Sequence, residues 1–305
     1  MSFNEYKPID LSTALILADE ILARRSPKAN FLLNMGVSKS RGQYLKLCFS
    51  YLRWVDDIVD DPNGKVSDKR NFINRQLNLM SNYSNNILTP IEDTEEAFLL
   101  YFIQYGLSNG NSIIINSVRL MIEGLEMDVQ RTEHDGIFTE SEMNMYINKM
   151  SKSFFDVTAS FILPEGKYPY QDVIITTAST KIWMIRDLIE DLEHGYINIT
   201  RENLNLYNLN AANLQHNNNL KLYLADEINK IIKILLDEAE IIKRFPIRVK
   251  LFNYYTQIYS LPKIFRLKEN DFDLHKAKHC RKFKGELKTY FSSFILGVKL
   301  FTKEF

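Results

Sequence analysis

Two acidic clusters in this chain have the residue types and the spacing to bind metal ions. Each contains carboxylates four residues apart, so in a helix the acids of one cluster point from the same face. Like charges at that spacing repel each other unless a cation lies between them. The first cluster contains Asp56, Asp57, Asp60 and Asp61 after Arg53, and the second contains Asp187, Glu190 and Asp191 after Arg186.

The donor atoms of both clusters predict magnesium rather than a softer metal. Neither cluster contains Cys or His, and carboxylate oxygens suit hard cations such as Mg²⁺. Magnesium also binds substrate phosphates, so a phosphorylated substrate is expected beside it. The positions of Gly64 and Gly195 do not fit the register of a calcium-binding EF-hand loop. The alternative is a pair of solvated acidic helix ends, but the matching pattern of the two clusters favours a shared function.

The composition describes a folded chain with no electrostatic preference for nucleic acid. Of the 305 residues, 45% are hydrophobic and 12% are aromatic, which argues against disorder. The formal net charge is zero and the pI is about 7.0, so no nucleic-acid partner is expected. Cys48 and Cys280 have no CxxC or metal-ligand spacing and are expected to be reduced thiols of a cytoplasmic protein.

The sequence contains no recognisable membrane span or amino-terminal signal. Residues 1–12 carry acids and a proline instead of a basic and then apolar pattern, and no apolar run approaches about eighteen residues. The apolar segment 291–299 is too short to cross a bilayer. It is expected to end a core helix, with peripheral contact with a membrane as the alternative.

A basic stretch near the carboxyl end contains His275 and His279 one helical turn apart, beside Cys280. A zinc site would need a fourth ligand that the sequence does not offer, and no basic motif with interleaved aromatics indicates nucleic acid. A solvated basic face is therefore the expectation.

The elements that must position the clusters are helices, because helical periodicity dominates and strand alternation is nearly absent. One all-α domain over residues 1–305 is therefore predicted, a bundle whose apolar stripes pack together. Asp10 is expected to cap the first helix, and Ser40–Gln43 and Thr139–Glu142 have the capping-box pattern. The Asn-rich segment 203–219 is predicted to be a loop. Helices are predicted over about 10–25, 40–60, 66–83, 93–107, 110–132, 139–162, 170–193, 219–244, 247–267 and 273–300.

Each acidic cluster lies beside an apolar stripe at helical spacing, which is expected to face the core. The acids therefore border buried space, and two such helices facing each other would form a negatively charged cleft for Mg²⁺ and a diphosphate. The stripe residues are Cys48, Leu52, Val55 and Val59 in the first helix, and Ile182, Ile185 and Ile189 in the second.

In its motifs the chain resembles the squalene/phytoene synthase family of isoprenoid synthases. Residues 51–60 resemble the first aspartate-rich motif of that family, and residues 185–191 resemble its second, RDxxED. The paired motifs in this order and separation are specific, and the likeness covers about residues 20–290. Further similar segments are 123–128 and 138–146 in the centre, and 254–274 in a late helix and the turn after it.

The resemblance implies an all-α isoprenoid-synthase fold around a central cavity, with a prenyl diphosphate as substrate. Loss of the diphosphate leaves an allylic carbocation, and an apolar, aromatic cavity protects that cation from water. No local motif indicates NADPH, which a reductive step would need, and the sequence does not predict an oligomeric state.

The resemblance also assigns roles to individual residues. About two or three Mg²⁺ ions would be held by Asp56, Asp57, Asp60, Asp187, Glu190 and Asp191. Arg53 and Arg186 would bind the diphosphate, on which charge develops as it leaves. Candidates to contact the substrate are Tyr146, Phe154, Phe155 and Trp183.

The chain departs from the family pattern at several positions around these motifs. Trp183 stands where the family has an asparagine that helps to hold metal, and Tyr196 and Asn198 replace an arginine and a tyrosine. Within residues 149–155, small residues of the prenyl tunnel are replaced by a sequence with two phenylalanines that would fill space. The segment 26–31 replaces a Ser-containing motif that touches diphosphate. Ordinary core packing is the alternative for the aromatic substitutions.

Three functional hypotheses follow. The first is Mg²⁺-dependent, head-to-head condensation of two prenyl diphosphates, through a cyclopropylcarbinyl diphosphate, to a squalene- or phytoene-like product. The second is a terpene synthase that ionises and cyclises a single prenyl diphosphate, which the aromatic substitutions favour. The third is a catalytically silent homologue that binds prenyl lipids, against which the retained acids argue.

Overall fold

The computed structural model describes residues 9–25, 30, 38–163, 176–247, 249–250, 264 and 266–274. These residues are mostly helical, and among them the one β-type pairing is an isolated bridge between Ile137 and Ile197. The all-α prediction is confirmed. Several predicted features lie wholly or mainly outside the described residues: the helices at 247–267 and 273–300, the basic stretch with His275, His279 and Cys280, and the segments 26–31 and 291–299.

The helices follow the predicted order, with ends that differ by a few residues. None of the described helices combines the length and the apolar character that a bilayer span needs. They are α1 (Leu11–Arg25), α2 (Lys39–Val59), α3 (Val66–Ser84), α4 (Glu96–Ser108), α5 (Ser112–Thr132), α6 (Glu140–Ile162), α7 (Thr177–Glu193), α8 (Arg201–Leu206) and α9 (Asn219–Ile242), with a 3₁₀ helix at Ala211–His216.

The prediction of a loop over residues 203–219 is wrong in part. This segment contains the end of α8 and the whole 3₁₀ helix. Polar side chains cap both short helices: the Thr200 hydroxyl accepts from the Asn203 N–H at 3.3 Å, and Asn210 Oδ1 accepts from the Ala212 N–H at 3.0 Å. Asparagine-rich sequence indicates caps as well as loops, because its short side chain satisfies the first N–H groups of a helix.

The predicted caps have mixed outcomes. Asp10 Oδ1 accepts from the Thr13 N–H at 2.8 Å, so Asp10 caps α1 as predicted. Thr139 and Glu142 form the predicted reciprocal pair, with 2.8 Å from the Thr139 N–H to Glu142 Oε2 and 3.3 Å from the Glu142 N–H to the Thr139 hydroxyl. The capping box at Ser40 is wrong, because Ser38 is the cap residue and Ser40 lies inside the first turn of α2.

The contacts divide the chain into two compact units. The first comprises Met1–Glu133 and Lys152–Val173, and the second comprises His134–Ser151 and Ile174–Phe305. The first acidic cluster, on α2, belongs to the first unit, and the second cluster, on α7, belongs to the second. A single domain over residues 1–305 stays a prediction.

In the first unit, α4 is buried on nearly every side. Its sequence is apolar almost all round, which is typical of a helix inside a core. Helices α2, α3 and α5 pack against α4, and α1 packs against α2. The predicted stripe on α2 is confirmed, since Cys48, Val55 and Val59 are buried and Leu52 packs at the edge of the same core.

In the second unit, α7 packs against α9. The predicted stripe of Ile182, Ile185 and Ile189 is buried in a core that also contains Leu224 and Ile231 of α9. The burial of this stripe fixes the rotation of α7, and the acids of the second cluster therefore lie on another face of the helix.

Candidate active site

The first acidic cluster occupies the carboxyl-terminal end of α2. Arg53 contacts both neighbouring acids, with Nη1 2.9 Å from Asp56 Oδ2 and Nη2 2.8 Å from Asp57 Oδ1. Arg25 of α1 lies 3.4 Å from the other oxygen of Asp57. Asp60 ends the helix, and its N–H donates to the Asp56 carbonyl at 2.8 Å. Asp60 therefore lies where the helix macrodipole disfavours an anion.

Asp128 of α5 adds a further negative charge to this region, although sequence reasoning gave it no role. Its side chain is buried and pairs with Arg131 at 2.7 Å. The pKa of Asp56 is raised to about 7, first by burial and then by the charges of Asp60, Asp128 and Asp57, against the effect of Arg53. In the sequence, Asp128 is marked by a charged pair at i, i+3 among core-facing residues, but this pattern does not show that it lies near Asp56.

Lys69 of α3 is a second residue that the sequence analysis missed. It is buried, and burial lowers its pKa while the carboxylates of Asp60 and Asp61 oppose that shift. A Cβ atom at Gly64 would come within 2.9 Å of Lys69 Cε. The absence of a side chain at position 64 thus leaves room for the stem of a lysine beside the turn that follows α2.

The second acidic cluster lies on α7. Arg186 forms a double hydrogen bond to its neighbour Asp187, from Nε to Oδ1 and from Nη2 to Oδ2. The side chain of Asp187 is 27% exposed and that of Arg186 is 43% exposed. Glu190 is exposed, and Asp191 is partly buried one turn after Asp187. Two carboxylates on one helical face and an arginine beside them therefore match the arrangement on α2.

The chain reverses sharply after α7 and brings Asn198 back to Asp191. The N–H of Tyr196 donates to the Asp191 carbonyl at 2.8 Å, and that of Gly195 to the Leu192 carbonyl at 3.2 Å. These bonds form a Schellman turn, whose residue Gly195 has a φ of 86° that glycine adopts readily. The side-chain amide of Asn198 then donates to Asp191 Oδ2. Asn198 departs from the family pattern, but its place in the sequence does not predict this contact.

Four aromatic residues were predicted to contact substrate. In the first unit, Phe155 is buried with 1% exposed, and the Phe154 ring centroid lies 5.7 Å from that of Phe49. In the second unit, the Tyr146 ring lies 5.6 Å from Phe138. Trp183 is partly buried on α7, one turn before Asp187. These positions show packing within each unit, and contact with a prenyl chain stays a prediction.

The carboxylates fit magnesium in their chemistry. Within the described residues, no three His, Cys, Asp or Glu side chains already converge as a metal site would require. Each cluster nevertheless offers only oxygen donors, the kind that Mg²⁺ prefers. On α2, Arg53 contacts Asp56 and Asp57, and Arg25 of α1 contacts Asp57, so cations already offset part of the negative charge. A bound divalent cation would offset more of that charge.

Comparison with known proteins extends this match from motifs to most of the chain. The profile of the squalene/phytoene synthase family matches residues 38–284, a range that includes both acidic clusters. The chain belongs to the squalene/phytoene synthase family. Its members are prenyltransferase-type enzymes, so the predicted family and the predicted class of enzyme are confirmed. No curated protein matches the sequence as a relative.

Solved structures of this fold are similar over nearly the whole chain. A dehydrosqualene synthase in complex with a ligand has a TM-score of 0.70 at 13% identity, covering 94% of this chain and 97% of its own. Two ligand complexes of TcSQS have TM-scores of 0.60 and 0.62, both at 14% identity. They cover 93% and 92% of this chain, and 91% and 90% of their own. At such low identity these similarities establish the fold alone.

Proposed function

We propose that this protein condenses two prenyl diphosphates head to head in a magnesium-dependent reaction. The observation that carries the proposal is the repeated arrangement on α2 and α7, where an arginine borders carboxylates one helical turn apart. Both arrangements lie inside the segment that matches the squalene/phytoene synthase family. Membership of the family supports the class of reaction, and the charged residues provide the groups that would bind Mg²⁺ and diphosphate.

The charged residues have separate roles in this proposal. Bound Mg²⁺ would stabilise the negative charge of the departing diphosphate. Arg53 and Arg186 would donate hydrogen bonds to diphosphate oxygens. Both arginines are at least 42% exposed in their present ion pairs, and exposed pairs exchange partners at a cost of about 1 kcal/mol or less. The ions would be held by Asp56, Asp57, Asp60, Asp187, Glu190 and Asp191.

The reaction begins when the C–O bond of one allylic diphosphate breaks and its electron pair leaves with the diphosphate. The double bond of the second prenyl diphosphate then attacks the allylic cation. Loss of a proton closes a cyclopropane ring and gives a cyclopropylcarbinyl diphosphate. A second loss of diphosphate and a rearrangement would give another carbocation. Loss of a proton from that cation would give a phytoene-like hydrocarbon, and transfer of a hydride from NADPH would give a squalene-like one.

A terpene synthase that cyclises one prenyl diphosphate is the second candidate. Phe154 packs against Phe49, and Phe155 is fully buried, in a segment where the family carries small residues. Aromatic side chains fill volume that a second prenyl chain would otherwise occupy. Trp183 adds an aromatic face one turn before Asp187, and such a face stabilises a carbocation by about 0.5–2 kcal/mol.

Product analysis separates the two candidates. Purified protein is incubated with geranyl, farnesyl or geranylgeranyl diphosphate, with and without Mg²⁺ and NADPH, and the organic extract is measured by mass spectrometry. A Mg²⁺-dependent product with twice the carbon number of the substrate is expected. A product of unchanged carbon number would identify a cyclase instead, and dependence on NADPH would show a reductive step.

Variants connect the product to the proposed residues. Asp56→Asn and Asp187→Asn keep the side-chain volume but remove one negative charge from each cluster. Both should lose product formation, whereas Asp68→Asn, at an exposed position in the first turn of α3, should not. Normal turnover by Asp56→Asn and Asp187→Asn would refute the assignment of these residues.

A further inference from the structure

Helix α7, which carries the second acidic cluster, is not capped by its own N-cap residue. Thr176 precedes the helix with φ 84° and ψ 1°, and its side chain makes no capping hydrogen bond. Its hydroxyl instead donates to the Ser151 carbonyl at 3.0 Å. A left-handed conformation is unfavourable for a β-branched residue and persists only where the surroundings hold it. Other groups must therefore fix this end of α7.

Glu238 of α9 supplies the missing cap. Its Oε1 accepts a hydrogen bond from the Ala178 N–H at 3.1 Å, and the N–H groups of Thr176 and Thr177 act on the same carboxyl group. The side chain is buried, with 3% of the residue exposed. The first N–H groups of a helix have no partner within the helix, so an acceptor from another element satisfies them.

A second pair of residues joins the same two helices. Lys181, close to one turn after Ala178, places Nζ 2.7 Å from Glu227 Oε1 of α9. The Thr180 hydroxyl also accepts from Ser151 at 2.9 Å. The amino-terminal turns of α7 are thus held at several points, of which Glu238 is the one that bonds to the helix backbone itself.

We propose that Glu238 is a positioning residue, which caps α7 from α9 and thereby sets where Asp187 and Asp191 lie. This inference rests on the proposed function of those two carboxylates. A helix is a stiff rod with a rise of about 1.5 Å per residue, so Asp187 lies about 14 Å along the axis from Ala178. If the capped end shifts, the carboxylates shift with it.

Three variants distinguish the capping acceptor from the bulk of the side chain. Glu238→Gln keeps a carbonyl oxygen that accepts the same N–H bond, and Glu238→Met keeps the length but has no such acceptor. Glu240→Gln is the matched control, because Glu240 lies on the same helix with its side chain 72% exposed. If the Glu238 side chain only fills space, Glu238→Met should behave like the wild type. If it caps the helix, Glu238→Gln should behave like the wild type and Glu238→Met should not.

Two measurements test the proposal in the full-length chain. Hydrogen exchange, followed by mass spectrometry, reports the opening of peptides that contain residues 177–181. In Glu238→Met these amides should exchange about fivefold faster, while Glu238→Gln and Glu240→Gln should stay within about twofold of the wild type. Binding of inorganic pyrophosphate in the presence of Mg²⁺ should weaken about tenfold in Glu238→Met, and it should not weaken in Glu238→Gln or Glu240→Gln.

The outcomes separate this inference from the proposed function. Unchanged exchange in Glu238→Met would show that the carboxylate does not hold α7. Faster exchange with unchanged pyrophosphate binding would show a stabilising contact without a positioning role, which overturns the inference. Failure of the wild type to bind pyrophosphate with Mg²⁺ would instead overturn the proposed function, and the inference with it.

Discussion

The amide of Asn198 holds one oxygen of Asp191, and the Schellman turn at Gly195 makes that contact geometrically accessible. The family pattern has a tyrosine at this place, so the chain has a different hydrogen-bond donor beside one of its carboxylates. Groups that hydrogen-bond to metal ligands orient them and influence their affinity for metal. In the proposed reaction, Asn198 therefore orients Asp191 for Mg²⁺.

Replacement of Asn198 should change the requirement for magnesium. In Asn198→Ala the Asp191 carboxylate loses its donor, so the Mg²⁺ concentration for half-maximal product formation should rise about tenfold to a hundredfold. Product formed at a series of Mg²⁺ concentrations gives this value. Asn203→Ala is the control, because Asn203 lines the same cavity of about 150 Å³ as Asn198. Equal Mg²⁺ requirements in the two variants would contradict the role given to Asn198.

Glu96 is a fully buried carboxylate that links three helices of the first unit. Arg75 donates to both of its oxygens at 2.7 Å, and Gln76 donates to Oε1 at 3.1 Å. Gln76 in turn accepts from the Tyr51 hydroxyl of α2 at 3.0 Å. Burial acts to raise the pKa of Glu96. The hydrogen bonds from Arg75, the Glu92 N–H and Gln76, together with the charge of Arg75, outweigh burial, so the pKa lies below its ordinary value.

Loss of the charge on Glu96 should destabilise the protein more than loss of an exposed charge. In Glu96→Gln a buried oxygen that accepts from Arg75 becomes an amide N–H₂ group, and the loss of such a buried hydrogen bond costs about 1–3 kcal/mol. Urea unfolding, followed by circular dichroism, measures the change in the free energy of unfolding. Glu92→Gln is the matched control: Glu92 also contacts Arg75, at 2.9 Å, but is 68% exposed. It should cost about 1 kcal/mol or less, and equal losses in both variants would disprove the argument from burial.

At the scale of helices, the contact of α9 with the start of α7 also makes stability depend on pH. Burial raises the pKa of Glu238 from its ordinary value of 4.5 to about 7, although backbone N–H groups act against the shift. Between these two values, the folded protein binds more protons at this site than the unfolded chain. The free energy of unfolding therefore falls as pH rises through this window.

Glu238→Gln should remove this pH dependence because its amide does not ionise. The shift in pKa corresponds to about 3 kcal/mol, present below about pH 4.5 and lost by about pH 8. Urea unfolding across that range should therefore show a steeper decline in the wild type than in Glu238→Gln. Glu240→Gln should follow the wild type. Parallel profiles for the wild type and Glu238→Gln would contradict the buried titration.

At the scale of the whole molecule, ligands of the proposed site should stabilise the folded chain. A ligand that binds only the folded state at about 100 times its Kd adds about 2.7 kcal/mol to the free energy of unfolding. Inorganic pyrophosphate with Mg²⁺ should therefore raise the melting temperature, and either component alone should raise it less. Asp56→Asn and Asp187→Asn should each reduce the rise, while Asp68→Asn should preserve it. A rise that is unchanged in Asp56→Asn and Asp187→Asn would place the ligand elsewhere.

Much of the fold was predictable because it depends on periodic apolar residues. The stripes with Val55 on α2 and Ile185 on α7 are buried as the 3.6-residue period indicates. The two acidic clusters were visible because their spacing is local. The roles of Asp128 and Glu238 were not visible, since each depends on a partner on another helix. Sequence periodicity shows which face of a helix is buried, but not which polar group of another helix meets it.

Cys48 offers a way to time the opening of the first unit. The thiol is buried on α2 with 1% exposed, and burial raises its pKa, so both access and ionisation protect it from alkylation. In a Cys280→Ser background, a thiol reagent can label Cys48 only when α2 separates from its neighbours. The labelling rate then measures how often the helix that carries Arg53 and Asp56 separates from its neighbours. Slower labelling of Cys48 in the presence of Mg²⁺ and pyrophosphate would show that ligand binding at one end of α2 also stabilises the packing of the rest of the helix.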